Sequence, residues 1–329
     1  MRRKHSLELS IIFVNWNSSE YLRESVRSIY QHTHGVTFEV IVVDNASTHD
    51  DLGAFEREFP AARVIRSPRN AGFAAANNIG FTASAGDCVL LLNPDTELFE
   101  PSVNVLLKHL KQLPDAGIVG CKLLNSDGSV QISSIQRLPT ILNQVIDVEY
   151  LRLRWPHCPL WRIDPLFATN MTVIPVEVIP GACMLLRREV FERVGMLTED
   201  YFMYAEDLDL NYKLRHAGFK SYYVGETAII HHGGRSSARQ SVSHWARLMQ
   251  CRAMKRYFGK THGTVYELLY QVAVGAVALI RVMAAVLLGA VVRDSSEQES
   301  LAGARRKWWA VFQWSMGIQV LEDYVGGRS

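Results

Sequence analysis

Runs of branched apolar residues without alternation recur along the first third of the chain: "LELSIIFVNW" (Leu7 to Trp16), "FEVIVVD" (Phe38 to Asp44), the short "RVIR", and "DCVLLLN" (Asp87 to Asn93). Strands buried on both faces read this way, because helices cover both sides of a mainly parallel sheet. Helical stretches separate them. One opens at Asn17, which with Glu20 makes a capping-box-like start, and runs to about His32. Others lie near Asp50 to Phe59, in the alanine-rich "NAGFAAANNIGFTAS", and in "EPSVNVLLKHLKQL", where Pro101 sits near the first turn. Strand and helix alternate over residues 7 to about 120, which predicts a doubly wound, Rossmann-like α/β domain. From Asn125 to Pro180 the pattern weakens and prolines recur, predicting long loops. Regularity returns with "GACMLLRREVFERVG", with a helix that starts at Glu206, Asp207 and Asp209 and is ended by Gly218, and with strand-like "SYYVG" and "TAIIHH".

A different pattern closes the chain. Leu268 to Val292 is continuously apolar and long enough to cross a bilayer, which takes roughly 20 residues. Arg281 in its middle would cost about 2.5 to 3.5 kcal/mol at the bilayer centre, which disfavours a simple span. Its flanks carry membrane anchors: a basic stretch from Arg235 to Lys260 before it, and Arg305, Arg306, Lys307, Trp308 and Trp309 after it. In-plane or shallow attachment is the first expectation, a span the second, and a buried core or oligomer helix the third. The chain thus divides into an α/β domain, residues 1–237, and a basic and apolar helical region, residues 238–329.

Composition alters this picture little. With 329 residues and 48% hydrophobic, the chain can bury a large core, and a formal net charge of +2 leaves the partner class open. The five cysteines are scattered without a C-x-x-C pair, so neither a disulfide framework nor a zinc site is expected, and a reducing cytosol fits. The N-terminal "MRRKHSLELSIIFVNW" has a positive head but a short apolar stretch and no small-residue cleavage site, and is read as a first strand.

Candidate chemistry gathers where these strands end. "VLLLNPDTEL" runs from a buried strand into Asn93, Pro94, Asp95 and Glu97, and ligands of open α/β sheets bind beyond the carboxyl ends of the strands. Asp44 ends the second strand, Asp207 stands near a helix start, and His231 closes the last strand. Carboxylates with an imidazole suit Mg2+ or Mn2+, shared with substrate phosphates and water. No G-x-x-x-x-G-K-[ST] loop exists and no G-x-G-x-x-G follows the first strand, so a bound nucleotide is held through a metal.

The ordered set "SIIFVNWN", "VIVVDNAST", "RNAGFAAANNIG", "LLLNPDTEL", "PGACMLLRREVFERVGMLTEDYFMYAEDLDLNYKLRHAGFK" and "AIIHHGGRSS" resembles the glycosyltransferase family 2 enzymes of the GT-A fold, especially bacterial rhamnosyltransferase-like members. The resemblance covers roughly Leu7 to Ser237. It implies that Asp44 reads the nucleobase, with Val14, Asn15 and Asn17 lining the same pocket, and that Asn70, Gly72 and Asn77 lie along the nucleotide. Asp95 matches the last acid of a metal-binding D-x-D motif, Asn93 replaces its first acid, and His231, preferred over His232, completes the metal site. Asp207 matches the catalytic base; Arg235, Ser236 and Ser237 either touch the diphosphate or form a turn.

One base and no separate nucleophile imply a single displacement with inversion at the sugar carbon. The expected partners are a nucleotide-sugar donor, with dTDP-rhamnose the leading candidate, and a lipid-linked or cell-envelope glycan acceptor. The expected location is the cytoplasmic face of a bacterial inner membrane. A processive synthase would want a Q-x-x-R-W-like motif, and "SHWARLMQCRAMKRYFG" lacks it. The competing reading is a protein that binds nucleic acid or anionic lipid through its basic stretch on an inactive scaffold. No nucleic-acid motif accompanies those charges, and Asp44, Asp95 and Asp207 are all present, so nucleic acid is not expected as a partner.

Overall fold

The computed structural model describes residues 7–50, 52–146, 149–161, 163–167, 173–233 and 243–318. The first part alternates as the sequence predicts: β1 (Leu9–Asn15), α1 (Ser19–His32), β2 (Phe38–Asp44), α2 (Gly53–Glu58), β3 (Arg63–Arg66), α3 (Phe73–Ala83) and β4 (Cys88–Leu92). Next come β5 (Thr96–Glu97), α4 (Ser102–Gln112), β6 (Ala116–Leu124), α5 (Ile141–Ile146), α6 (Glu149–Arg154), β7 (Val173–Val176), β8 (Cys183–Arg187), α7 (Arg188–Arg193), α8 (Glu206–His216) and β9 (Lys220–His231). Three long helices follow: α9 (Ser243–His262), α10 (Thr264–Val291) and α11 (Ser295–Ser315).

These elements form two compact units. One comprises Met1–Leu138, Val148–Phe202 and Glu206–Arg239; the other comprises Pro139–Asp147, Met203–Ala205 and Gln240–Ser329.

The first unit is an α/β sandwich on a mixed, mostly parallel sheet in the order β3-β2-β1-β4-β8-β6-β9-β5, with β7 paired to β9. Strands β3, β2, β1 and β4 are mutually parallel, as are β6 and β9, while β8 runs antiparallel between β4 and β6. Alternate residues of the apolar strands feed opposite layers. Leu9, Ile11 and Phe13 pack with Leu22, Val26 and Ile29 of α1 and with α4; Ile12, Val89 and Leu91 pack with α3, α7 and α8. Each such fully buried aliphatic side chain contributes about 1.5–3 kcal/mol, and covering both faces is what lets the strands be apolar throughout.

Several local expectations change. α1 begins at Ser19, and the Asn17–Glu20 capping box is absent: Asn17 adopts φ 54°, and Asp50 instead accepts hydrogen bonds from the Ser19 amide (2.8 Å) and hydroxyl (3.0 Å). The two segments near the end of the first unit are one strand, β9, with a register shift against β6 between Cys121 and Lys122. Edge strand β7 contains Pro175, which an edge tolerates because no partner needs its missing N–H.

In the second unit α10 and α11 run antiparallel. Gln271 donates to the Ser315 carbonyl at 2.8 Å, and a Cβ on Gly275 would stand 2.3 Å from Ser315 Oγ, so glycine permits the close approach. α5 joins this unit, its Ile141 amide donating to the Tyr266 hydroxyl at 3.3 Å. All five cysteines are free thiols.

Candidate active site

Because β1 lies between β2 and β4 and all three are parallel, their carboxyl ends bring Asn15, Asp44 and the Asn93–Asp95 turn to one edge of the sheet. Asn15 pairs in register with Asp44 and is wholly buried. Its amide donates to Asp44 Oδ1 (3.3 Å), Ser47 Oγ (3.2 Å) and Asp50 Oδ2 (3.3 Å), which fixes the loop after β2. Asn17 works on the same loop, its Oδ1 accepting from the amides of Thr48 and His49 at 2.9 Å each. Both therefore position the pocket wall and leave Asp44, which is partly exposed, as the group able to face a ligand. Val14 is packed with Ile41, Val43 and Ala76 and supplies no polar contact.

Asn45, the residue after Asp44, ties this edge to the next segment. Its side chain donates to Asn70 Oδ1 (2.8 Å) and accepts from the Ala71 amide (2.9 Å), while Asn70 Oδ1 also accepts from the Gly72 amide (3.0 Å). Gly72 has φ 86°, and a Cβ there would stand 2.4 Å from the Phe202 carbonyl oxygen. A side chain is excluded twice, by backbone conformation and by space. Asn77 departs from expectation: it is 1% exposed, and its amide donates to the Phe73 carbonyl one turn back at 3.0 Å, so it is a packing residue of α3.

The Asn93-Pro94-Asp95 turn is pinned from several sides. The Asn93 amide donates to the Ala182 carbonyl (3.0 Å), Thr96 Oγ1 donates to the Asn93 carbonyl (2.7 Å), and the His232 amide donates to the Asp95 carbonyl (2.9 Å). Antiparallel pairing of β5 with β9 sets Thr96 opposite His231. Asp95, only 3% exposed, then lies 3.4 Å from His231 Nε2, and the Asn93 side-chain Nδ2 lies 3.3 Å from the same nitrogen. Gln131 orients the ring from the far side at Nδ1, 3.0 Å away. His232 points elsewhere, to Ser126 (2.8 Å) and Glu97 (3.3 Å), so of the two histidines His231 is the one that joins Asp95.

The donor set fits a hard divalent ion. Asp95 offers a carboxylate and His231 an imidazole nitrogen 3.4 Å apart, the ligand types such an ion takes. No third His, Cys, Asp or Glu joins them among the described residues, so the other positions would fall to diphosphate oxygens and water, with Asn93 at hand.

Asp207, in the first turn of α8, accepts the Gly181 amide on Oδ2 (3.0 Å) and the Leu208 amide on Oδ1 (2.8 Å). Burial raises its pKa above the ordinary carboxylate value, against those two hydrogen bonds. Gly181 and Ala182 are consecutive, and Ala182 is the residue whose carbonyl holds Asn93. One dipeptide therefore positions both the raised carboxylate and the metal-suited turn.

Glu206 and Asp209, the other acids of this turn, are both buried. Asp209 is buried and accepts from the Thr198 and Tyr201 hydroxyls, with Lys213 3.6 Å away. Glu206 is buried with Oε2 unpartnered, and desolvation together with the Asp207 charge pushes its pKa up to about 8. Arg235, Ser236 and Ser237 lie outside the described residues. A cavity of about 560 Å3 lined by Arg137, Glu177, Asn211 and Lys220 opens at the opposite end of α8, where β9 begins.

Sequence reasoning missed the anchoring roles of Asn45 and Asp50 and the orienting role of Gln131. Asn45 was detectable beside Asp44; Gln131 stands in a weakly patterned stretch and gave no signal.

The mixed, mostly parallel α/β sheet with its polar residues gathered at the carboxyl edge is a GT-A fold. The chain belongs to the family described as glycosyl transferase family 2, whose model matches residues 10–195. It is 31% identical over 249 residues to the N-acetylglucosaminyl-diphospho-decaprenol L-rhamnosyltransferase of Mycobacterium tuberculosis, covering 72% of this chain and 80% of that one. Similarity to the rhamnosyltransferase WbbL of Escherichia coli is 25% over 177 residues, covering 49% and 61%. Among solved structures, the mannosyltransferase PcManGT of Pyrobaculum calidifontis, in complex with GDP-Man and Mn2+, superposes with a TM-score of 0.55 at 18% identity, covering 98% of this chain and 89% of that one.

Proposed function

We propose that this glycosyltransferase moves L-rhamnose from dTDP-rhamnose, with inversion, to a hydroxyl of a glycan carried on a lipid diphosphate. The observation that carries the mechanism is the Gly181–Ala182 link between Asp207 and the Asn93–Asp95 turn. Asp207 takes the proton of the acceptor hydroxyl as that oxygen attacks the anomeric carbon, and the bond from that carbon to the diphosphate breaks, its electron pair leaving with the nucleoside diphosphate. Burial keeps Asp207 basic enough to accept the proton, while Asp44 and the Asn45–Asn70–Gly72 network hold the nucleotide side of the pocket. Asp95 and His231 would hold a divalent ion, Mg2+ or Mn2+, which would supply positive charge against the departing diphosphate. The choice of sugar, and of a lipid-linked acceptor, is supported by the name and 31% identity of the mycobacterial relative.

The second unit supports attachment at a membrane surface, in the plane of the interface, at the cytoplasmic face where a nucleotide-sugar is found. Val265, Leu268, Val272, Ile280, Leu287 and Val291 of α10 are all more than half exposed. Arg281 falls on the other face, in series with Val274, Ala278 and Ala285, which are buried. Antiparallel α11 carries exposed Arg305 and Arg306. Were α10 to span, those arginines would be drawn toward the bilayer centre at about 2.5–3.5 kcal/mol each; lying flat costs nothing of the kind.

A screen of nucleotide-sugars for release of nucleoside diphosphate tests the catalytic reading. dTDP-rhamnose is expected to be consumed with Mn2+ or Mg2+ and not with EDTA, and Asp207→Asn to lose about 10²–10⁴-fold in rate. Consumption of none of the donors would overturn it.

A further inference from the structure

Arg247 of α9, Arg281 of α10 and Lys307 of α11 converge on one indole. Arg281 Cζ lies 4.2 Å from the Trp308 ring centroid, Arg247 Cζ 5.1 Å, and Lys307 Nζ 5.5 Å. None of the three forms an ion pair among the described residues. Among the described residues, Arg247 Nε is buried without a hydrogen-bond partner, and its Nη1 donates to Gln250 Oε1 at 3.4 Å. Burial and the charges of Arg247 and Arg281 hold the Lys307 ammonium below its ordinary pKa, the mark of like charges crowded without a counter-ion. A cation–π contact returns about 0.5–1 kcal/mol at a partly exposed site, too little to explain three cations gathered at one ring.

All four side chains are half-buried, so the cluster is open to a ligand while partly shielded from water. The same helix α10 turns its exposed apolar face away from Arg281. Guanidinium forks are suited to bidentate phosphate contacts, and three converging positive charges match a diphosphate better than the single charge of a phosphodiester.

We infer that Arg247, Arg281 and Lys307, around Trp308, form a binding site for the diphosphate of a membrane lipid. Its headgroup would be gripped by the three cations, and its tail would extend into the membrane on which the apolar face of α10 rests. The source of the diphosphate rests on the lipid-linked acceptor proposed above; recognition of a diphosphate does not, so the two readings fail separately.

The first measurement is calorimetry of inorganic pyrophosphate with the full chain in mild detergent and EDTA. Wild type is expected to bind, Lys307→Gln and Arg281→Gln each to weaken binding at least 10-fold, and Arg281→Lys to retain most of it. Lys307 is partly exposed, so its variant tests the site even if Arg281→Gln perturbs helix packing. Cosedimentation then uses phosphatidylcholine vesicles alone, with phosphatidylglycerol, or with a polyprenyl diphosphate. The diphosphate vesicles are expected to bind wild type at least 10-fold more tightly than either other kind, and Lys307→Gln to lose that excess. Equal binding to phosphatidylglycerol vesicles would overturn the diphosphate assignment, and unchanged pyrophosphate affinity in both Gln variants would overturn the site.

Discussion

Asp207 and Glu206 are adjacent and differently served. Asp207 has a backbone N–H on each oxygen, whereas Glu206 Oε2 is buried with none, and its pKa rises to about 8. Two consequences follow. As the proposed base Asp207 would act as the carboxylate, and its pKa is raised, so turnover is expected to fall with decreasing pH along an acid limb centred above the ordinary value of 3.8; a limb at or below that value would contradict Asp207 as base. For Glu206, the folded state holds a proton that the unfolded chain releases between its ordinary 4.5 and about 8, so stability contributed by this residue is lost as pH rises through that window. Glu206→Gln carries no such proton. Its melting temperature relative to wild type should therefore climb from pH 5 to pH 8 and then level off, and a difference flat with pH would show that Glu206 is ionised in the fold.

At the scale of elements, Gly72 is where two segments distant in sequence meet. With φ 86° and the Phe202 carbonyl in the space of a Cβ, Gly72→Ala is expected to lower unfolding free energy by about 1–3 kcal/mol in denaturant titration, and to depress turnover with it. A neutral substitution would mean that the approach of the Phe202 segment is adjustable. This contact also shows what the sequence could and could not disclose. The apolar runs of β1, β2 and β4 announced a covered parallel sheet, and the Asp44 and Asn93–Asp95 positions followed from where those runs stop. β5 has two residues, too few for any periodicity, yet its pairing with β9 is what sets His231 against Asp95 and sends His232 away. Asn77 looked like its neighbours in a polar motif; only α3's packing shows that its amide turns back onto its own helix.

At the scale of the whole molecule, the chain joins a sugar-transfer unit to one with a broad apolar face. Replacing Leu268, Val272, Ile280 and Leu287 together by Gln should abolish vesicle binding by the full chain while leaving hydrolysis of a soluble donor unchanged; undiminished vesicle binding would place the membrane contact elsewhere. In the first unit, the roles proposed are a metal-bound diphosphate held by Asp95 and His231 and an acceptor deprotonated by Asp207. Calorimetry of nucleoside diphosphate binding with Mn2+ or EDTA, on wild type, Asp95→Asn and Asp207→Asn, tests them most directly. Wild type and Asp207→Asn should bind alike, only with metal, while Asp95→Asn loses at least 10-fold in affinity. Equal, metal-independent binding by all three would contradict the assignment of Asp95 and, with it, the account of the site.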